Sequence, residues 1–173
     1  MKILEMVCHE GVQDVTLREW VRRGHHAHLI AGGREWNPDI GPVPEGVITS
    51  PPRRPDVILA GSTPDLLRAD VRKWRSLSPR LPILMVHHCL PSHHWMAGPL
   101  YRRCTNVTLC RYAQRYLRNL WDVDSHIIYC PIDTDIYRPS DAQADQKLVI
   151  AVGNGFVNRP EVGWEELIEV MQK

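Results

Sequence analysis

The segment that divides the chain is His126-Ile-Ile-Tyr-Cys-Pro-Ile-Asp-Thr-Asp-Ile-Tyr-Arg-Pro139. Residues 127–129 form a β-branched and aromatic run that predicts a short strand, and Pro131 ends it because proline cannot donate to a sheet ladder. Residues 133–135 carry side-chain oxygens that favour a local turn, and Pro139 keeps the end of the segment extended. We therefore predict one αβ layer before this segment and the start of another after it.

Charge and composition narrow the class of protein. The net charge is +1 with nine histidines counted as neutral, so we expect no nucleic-acid partner. No apolar run approaches the length of a membrane span or of a signal peptide core. The five cysteines show neither Cys-x-x-Cys pairing nor regular spacing, which is typical of reduced thiols. We expect a cytoplasmic protein.

Short apolar runs alternate with helical patterns along the chain, and Lys2 to Cys8 has little polar alternation, as expected for a strand buried on both faces of a parallel sheet. The predicted strands are residues 2–8, 28–31, 56–60, 82–87, 106–110, 127–129 and 147–153, with one more near Val47-Ile48 inside a proline-rich loop. Strands separated by helices predict an α/β fold with a mostly parallel sheet.

The helices are predicted from apolar stripes and end signals. Gly24 is expected at the C′ position of the first helix, and Thr63 as the N-cap of the next, with Pro64 at its first position. The predicted inward stripes are Leu17, Trp20 and Val21, then Leu67, Val71 and Trp74, then Ala113, Tyr116, Leu117 and Leu120. Shorter helices are predicted within 92–104 and over 163–172.

Two motifs resemble a known family. Cys130 to Pro139 is similar to the Asn-Gly-Val-Asp-x-x-x-Phe-x-Pro segment between the two domains of GT-B glycosyltransferases, with Cys130-Pro131 in place of Asn-Gly. Arg23-Gly-His-His-Ala-His-Leu-Ile30 resembles the Arg-Gly-His-Glu-Val-x-Val-Ile of their amino-terminal domains. The closest likeness is to the retaining group that uses nucleotide-diphosphate sugars.

This resemblance implies a domain organisation. Residues 1–140 would be a Rossmann-like three-layer sandwich, the acceptor-side amino-terminal domain of the GT-B architecture. Residues 141–173 would be a linker and the first βα unit of the nucleotide-sugar-binding domain. Because two complete domains need about 300 residues, we expect the full-length parent to be the enzyme and this chain alone to be inactive.

The same resemblance implies site residues. In open parallel sheets, ligands bind outside the carboxyl ends of the strands, where Gly11, Gly61, His87, His88 and Cys110 are predicted. His87 falls on a family histidine that contacts the donor sugar, which makes it the catalytic candidate. His88, Gly11 and Cys110 are then substrate-binding candidates. The other interpretation of His87 is a structural histidine that ends a strand.

The donor diphosphate would be held by the second domain. Asn154 occupies the place of a family arginine and Val162 that of a family lysine, so Arg159 is the candidate for the missing positive charge. The implied partners are a nucleotide-diphosphate sugar and a sugar or lipid-linked acceptor.

Five arginines and three tyrosines suggest a basic surface near the later helices: Arg102, Arg103, Arg111, Arg115 and Arg118, with Tyr101, Tyr112 and Tyr116. A solvated helix face is one interpretation. The other is peripheral contact with anionic headgroups at the inner face of the membrane, as in GT-B enzymes that act on membrane acceptors.

Three other classes were compared with this hypothesis. A zinc site at His87, His88, Cys89, His93 and His94 fits no common spacing, so we expect no metal and no cofactor. A dinucleotide-dependent oxidoreductase is disfavoured because no Gly-x-Gly-x-x-Gly follows the first strand. A non-catalytic Rossmann-like module that binds a ligand or a protein stays open.

Overall fold

The structure is a computed structural model that describes residues 1–32, 35–88 and 97–129. The predicted strand at 147–153, the predicted helix at 163–172 and the predicted second domain lie outside the described residues. So does most of the dividing segment, from residue 130 onward. The proposed domain boundary at residue 140 therefore stays a prediction.

The described residues form one six-stranded sheet in which every neighbouring pair is parallel. Its strands are β1 Lys2–Met6, β2 His26–Ile30, β3 Val57–Ala60, β4 Ile83–His87, β5 Thr105–Thr108 and β6 His126–Ile127. The flanking helices are α1 Glu10–Arg22, α2 Thr63–Leu67, α3 Ala69–Leu77, α4 Ala97–Tyr101 and α5 Arg111–Trp121. This confirms the predicted α/β, Rossmann-like sandwich.

The strand order is β2-β1-β3-β4-β5-β6. Outside β2, Ile48 forms a parallel bridge with His28, close to where the sequence predicts an extra short strand. With this bridge counted as the third pairing segment, the order begins with the 3-2-1-4 arrangement of Rossmann sheets. The chain reverses its direction of travel across the sheet between β1 and β3, and ligands bind at such a switch point in open parallel sheets.

Alternate residues of the strands face two separate apolar clusters. On one face, Leu4 and Met6 of β1 pack in the cluster that holds Val71, Trp74 and Leu117 from α3 and α5. On the other face, a smaller cluster joins α1 to β2 and to the loop before β3, through Val7, Leu17, Ala27, Leu29, Trp36 and Val47. Burial on both faces explains why β1 reads as a continuous apolar run.

The helix predicted from Thr63 to Leu77 is in fact two helices, and this part of the prediction is wrong. Arg68 has an extended backbone (φ −57°, ψ 143°) and separates α2 from α3. Its guanidinium donates to the carbonyl of Ala31 at 2.8 Å and to the carboxylate of Asp70 at 2.9 Å. A contact so distant in sequence leaves no trace in a local apolar stripe.

One helix cap and one position of an inward stripe also differ from the predictions, whereas a second helix cap agrees with them. Ser62, and not Thr63, is the N-cap of α2. Leu120 is 43 % exposed and does not belong to the inward stripe of α5, which Ala113 and Leu117 form. Gly24 does follow the C-cap of α1 with φ +75°, so its predicted C′ position is confirmed.

The close approach of Cys8 to Gly61 gives a test of this packing. A Cβ on Gly61 would overlap the Cys8 side chain, whereas a Cβ on Gly11 would meet nothing within 4 Å. We expect Gly61→Ala to lower the free energy of unfolding by about 1–3 kcal/mol, as overpacking does. Gly11→Ala, the control, should leave it unchanged or raise it slightly, because alanine favours the helix. Urea denaturation measures both, and equal stabilities would contradict this packing.

Candidate functional site

The loops at the carboxyl edge of the sheet meet at the switch point between β1 and β3. A small cavity of about 10 Å³ lies there, and its lining includes Glu5, Cys8, Gln13, Gly61 and His88. We call these five residues the carboxyl-edge crevice. A volume of this order holds about one water molecule.

The buried amide of Gln13 fixes the loop from β1 to α1. Its oxygen accepts the backbone N–H groups of Cys8 and His9 at 2.8 and 2.9 Å. Its nitrogen donates to Glu5 at 2.9 Å and to the carbonyl of Met6 at 2.8 Å. The Gln13 amide thus accepts two hydrogen bonds and donates two, all within residues 5–9. Together these bonds hold the loop in one conformation.

Glu5 is a carboxyl group inside the sheet. Its Oε1 accepts the bond from Gln13, and its buried Oε2 has no hydrogen-bond partner among the described residues. Burial raises the pKa of Glu5 to about 7, and the hydrogen bond from Gln13 only partly opposes this effect. Glu5 is therefore partly protonated at neutral pH and offers an oxygen to a hydrogen-bonding group.

His88 faces the same crevice, on the side where α1 begins. Its ring stacks on the ring of His9, with the centroids 5.4 Å apart, and its buried Nδ1 has no partner among the described residues. Burial lowers the pKa of His88 to about 4, with smaller contributions from His9 and His87. At neutral pH it is an uncharged imidazole with an unused ring nitrogen.

His87 lies on the opposite face of the sheet, because neighbouring residues of a strand point to opposite faces. Its Nε2 is 3.0 Å from Oδ1 of Asn106, whose amide nitrogen donates to the carbonyls of Tyr101 and Cys104. The Asn106 oxygen is thus the acceptor, and Nε2 of His87 carries the proton. The ring is 3 % exposed and packs edge-on against Tyr101. The structure therefore does not bring His87 and His88 into one cluster.

A second hydrogen-bonded unit holds the loops after β2 and β3. Oδ2 of Asp65 accepts the backbone N–H groups of Gly61 and Ser62 at 3.1 and 2.9 Å. A Cβ on Gly32 would lie 3.0 Å from Oδ1 of Asp65 and 2.6 Å from the carbonyl of Val7. Only glycine therefore fits at this crossing of three loops without a shift.

The remaining predicted site residues are distributed as follows. Gly11 is exposed and lies in the first turn of α1, not in the preceding loop. Cys110 lies two residues beyond the end of β5, where its sulfur caps α5 by accepting the N–H of Ala113 at 3.5 Å. Asn154 and Arg159 lie outside the described residues, and their role as diphosphate ligands stays a prediction.

Sequence reasoning missed Glu5, Gln13 and Asp65. A lone carboxylate inside an apolar strand was the available signal for Glu5. Gln13 stands one helical turn before the buried Leu17, so it occupies the inward face of α1. The position of Asp65 in the first turn of a helix was the signal for a capping carboxylate.

The arginine surface is only partly as predicted. Tyr101 is fully buried, with its hydroxyl 2.7 Å from that of Thr63, so it is not part of any surface. Arg118 pairs with Asp122 and Asp124. Arg111 and Arg115 are exposed on α5, next to the exposed Tyr112.

Neither a metal centre nor a membrane span is found in the part of the chain that the structure describes. No three His, Cys, Asp or Glu side chains in it are grouped so that they could ligate a metal ion. Cys89, His93 and His94 of the zinc alternative are not among the described residues. Within the same ranges, no helix has the length and apolar character needed to cross a bilayer.

The raised pKa of Glu5 predicts a pH-dependent stability. The folded state holds this proton up to about pH 7, whereas the unfolded chain releases it near the ordinary glutamate pKa of 4.5. The stabilisation by neutral Glu5 is therefore complete below pH 4.5 and is lost as the pH rises through 7. We expect the free energy of unfolding of the wild type, measured relative to that of Glu5→Gln, to fall by up to roughly 3 kcal/mol between pH 4 and pH 8.

The measurement is urea denaturation at several pH values. The lowered pKa values of His87 and His88 act in the opposite direction, so the difference between the two proteins is the informative quantity. Glu45→Gln, at an exposed position, is the control. A difference that does not change with pH would show that Glu5 ionises as it does in water.

Comparison with known proteins gives no assignment: no family model matches this sequence, and neither does any curated protein. A function must therefore be inferred from the chemistry of the crevice residues.

Proposed function

We propose that this chain is the amino-terminal, acceptor-side part of a GT-B glycosyltransferase. The full-length parent would move a sugar from a nucleotide-diphosphate donor to a sugar or lipid-linked acceptor. The observation that carries the proposal is the position of the carboxyl-edge crevice. It lies at the switch point of the sheet, and its lining residues Glu5 and His88 each have a buried hydrogen-bonding atom with no partner among the described residues.

The chemistry of these two groups suits an uncharged polyhydroxy ligand. His88 is neutral because its pKa is lowered to about 4, and Glu5 is partly neutral because its pKa is raised to about 7. A neutral imidazole and a carboxyl group exchange hydrogen bonds with hydroxyl groups, which are both donors and acceptors. Such a site recognises a sugar better than it recognises a phosphate.

His88 is the residue that we propose for direct contact with a sugar. A ligand contact at His87 would require its ring to leave Asn106, because the ring is buried on the other face of the sheet. The catalytic role of His87 stays a prediction. Through Asn106 and Tyr101, His87 is well placed to act as a positioning residue that holds the end of β4.

The rest of the proposal depends on sequence alone. Asn154 and Arg159 would help to hold the donor diphosphate, and the exposed arginines of α5 would meet an anionic membrane surface if the acceptor is lipid-linked. In the parent, catalysis would come from positioning and charge stabilisation between two domains.

A second candidate function is a non-catalytic module that binds a small ligand or a protein. The volume of the crevice favours it: about 10 Å³ is far below the 300–1,000 Å³ typical of ligand pockets. In this case the hydrogen bonds of Gln13 and Asp65 would serve stability alone. A sugar would enter the crevice only if the loop at Cys8 moved away from Gly61.

Calorimetry with sugar ligands tests the proposal. We expect the chain to bind free saccharides or uridine- and guanosine-diphosphate sugars weakly, and His88→Ala to weaken this binding about tenfold, the value of one hydrogen bond. His26→Ala is the matched control, because His26 is exposed at the opposite edge of the sheet.

Two results would count against the glycosyltransferase proposal. One is the absence of heat with every sugar nucleotide and saccharide at millimolar concentration. The other is equal affinity of wild type and His88→Ala, which would place the ligand away from the crevice. Binding of a ligand without a sugar that His88→Ala abolishes would favour the module.

A further inference from the structure

A second recess lies at the amino edge of the sheet, on the side away from the carboxyl-edge crevice. It is a cleft of about 490 Å³, and we call its lining residues the amino-edge cleft: Lys2, Arg53, Arg54, Trp74, Leu77, Ser78 and Leu81. Lys2 begins β1, the two arginines precede β3, and the other four residues come from α3 and the turn after it. The volume is within the range typical of small-molecule sites.

The charged side of the cleft is entirely basic. Lys2, Arg53 and Arg54 line it together, and no acidic residue is part of the lining. Among the described residues, none of these three side chains forms an ion pair. Arg54 donates only to the hydroxyl of Ser78, at 3.3 Å. The carboxylate of Asp56, which does not line the cleft, accepts the backbone N–H of Lys2 at 2.7 Å.

The opposite side of the cleft is apolar. Leu77 is 70 % exposed although it belongs to the last turn of α3, while Trp74 is 8 % and Leu81 9 % exposed. A single exposed leucine is common on protein surfaces. Here it lines the same recess as three cations, so a molecule bound in the recess would meet both kinds of group.

We propose that the amino-edge cleft binds a small amphiphilic anion. A phosphate or carboxylate group would contact Lys2, Arg53 and Arg54, and an aliphatic body would lie against Leu77. Arginine suits this role because its planar guanidinium can donate two parallel hydrogen bonds to an oxyanion. The site is separate from the carboxyl-edge crevice and does not depend on the function proposed for it.

The phosphate could come from a soluble molecule or from a lipid headgroup, and the recess favours the soluble source. A concave site can surround one molecule, whereas a flat basic surface suits a bilayer. Hexyl phosphate is the probe for the soluble source. Inorganic phosphate supplies the anionic group of this probe alone, and hexanol supplies its alkyl chain alone. Vesicles of phosphatidylcholine and phosphatidylglycerol represent the bilayer.

The experiment is a nuclear magnetic resonance titration of the whole chain. We expect hexyl phosphate to shift the amide signals of Leu77 and Ser78 and the indole N–H signal of Trp74, with an affinity about tenfold above that for inorganic phosphate. The double variant Arg53→Gln/Arg54→Gln should weaken the binding of hexyl phosphate at least roughly tenfold. Leu77→Ser should weaken the binding of hexyl phosphate but leave the binding of inorganic phosphate unchanged.

Arg72→Gln is the control for loss of positive charge, because Arg72 is exposed on α3 and does not line the cleft. All of the substituted positions are exposed, so the variants should keep the dispersed spectrum of the folded wild type. Equal binding of hexyl phosphate by wild type and the double arginine variant would overturn the proposal. Binding of the chain to vesicles, without any shift of its amide signals when hexyl phosphate is added, would also overturn the proposal.

Discussion

The buried side chain of Gln13 is the contact that organises the carboxyl edge of this protein. Only three residues connect β1 to α1, and two of their backbone N–H groups point to the Gln13 oxygen. Its nitrogen meanwhile holds the carbonyl of Met6 and the carboxyl of Glu5. Without this amide, the partly buried N–H groups of Cys8 and His9 would lose their acceptor. The loop that Gln13 holds contains Cys8, which lies against Gly61, and His9, which stacks on His88, so one side chain fixes one wall of the crevice.

The alternation of strands and helices could be predicted, and the signal is strongest where a parallel strand is buried on both faces and reads as an apolar run. The strand of Lys2 to Met6 is the clearest case, and Gly24 marks the end of the first helix by a backbone conformation that favours glycine. The break at Arg68 could not be predicted, since the guanidinium is satisfied by a carbonyl that is 37 residues away in sequence. Local periodicity carries no information about a bond of that kind.

The candidate site was less predictable because two different rules apply to it. The carboxyl-end rule correctly indicates the edge at which His87 and His88 lie, but the alternation of side chains in a strand sends them to opposite faces. Both rules can be applied to the sequence. Only their combination distinguishes the buried His87 from His88, which faces the crevice. Gln13 shows the converse case: a polar residue on the inward face of α1 is informative because burying an unpaired amide is costly.

The two edges of the sheet differ in charge, and this difference limits what each can bind. At the carboxyl edge, burial moves the pKa of Glu5 up to about 7 and that of His88 down to about 4, so desolvation suppresses charge on both groups. Recognition there must depend on directional hydrogen bonds, which favour hydroxyl groups. At the amino edge, Arg53 and Arg54 carry guanidinium groups that are exposed to water. The charges at the amino edge would attract an anion, and a nucleotide diphosphate near the carboxyl edge would need cations from residues beyond those that form the crevice.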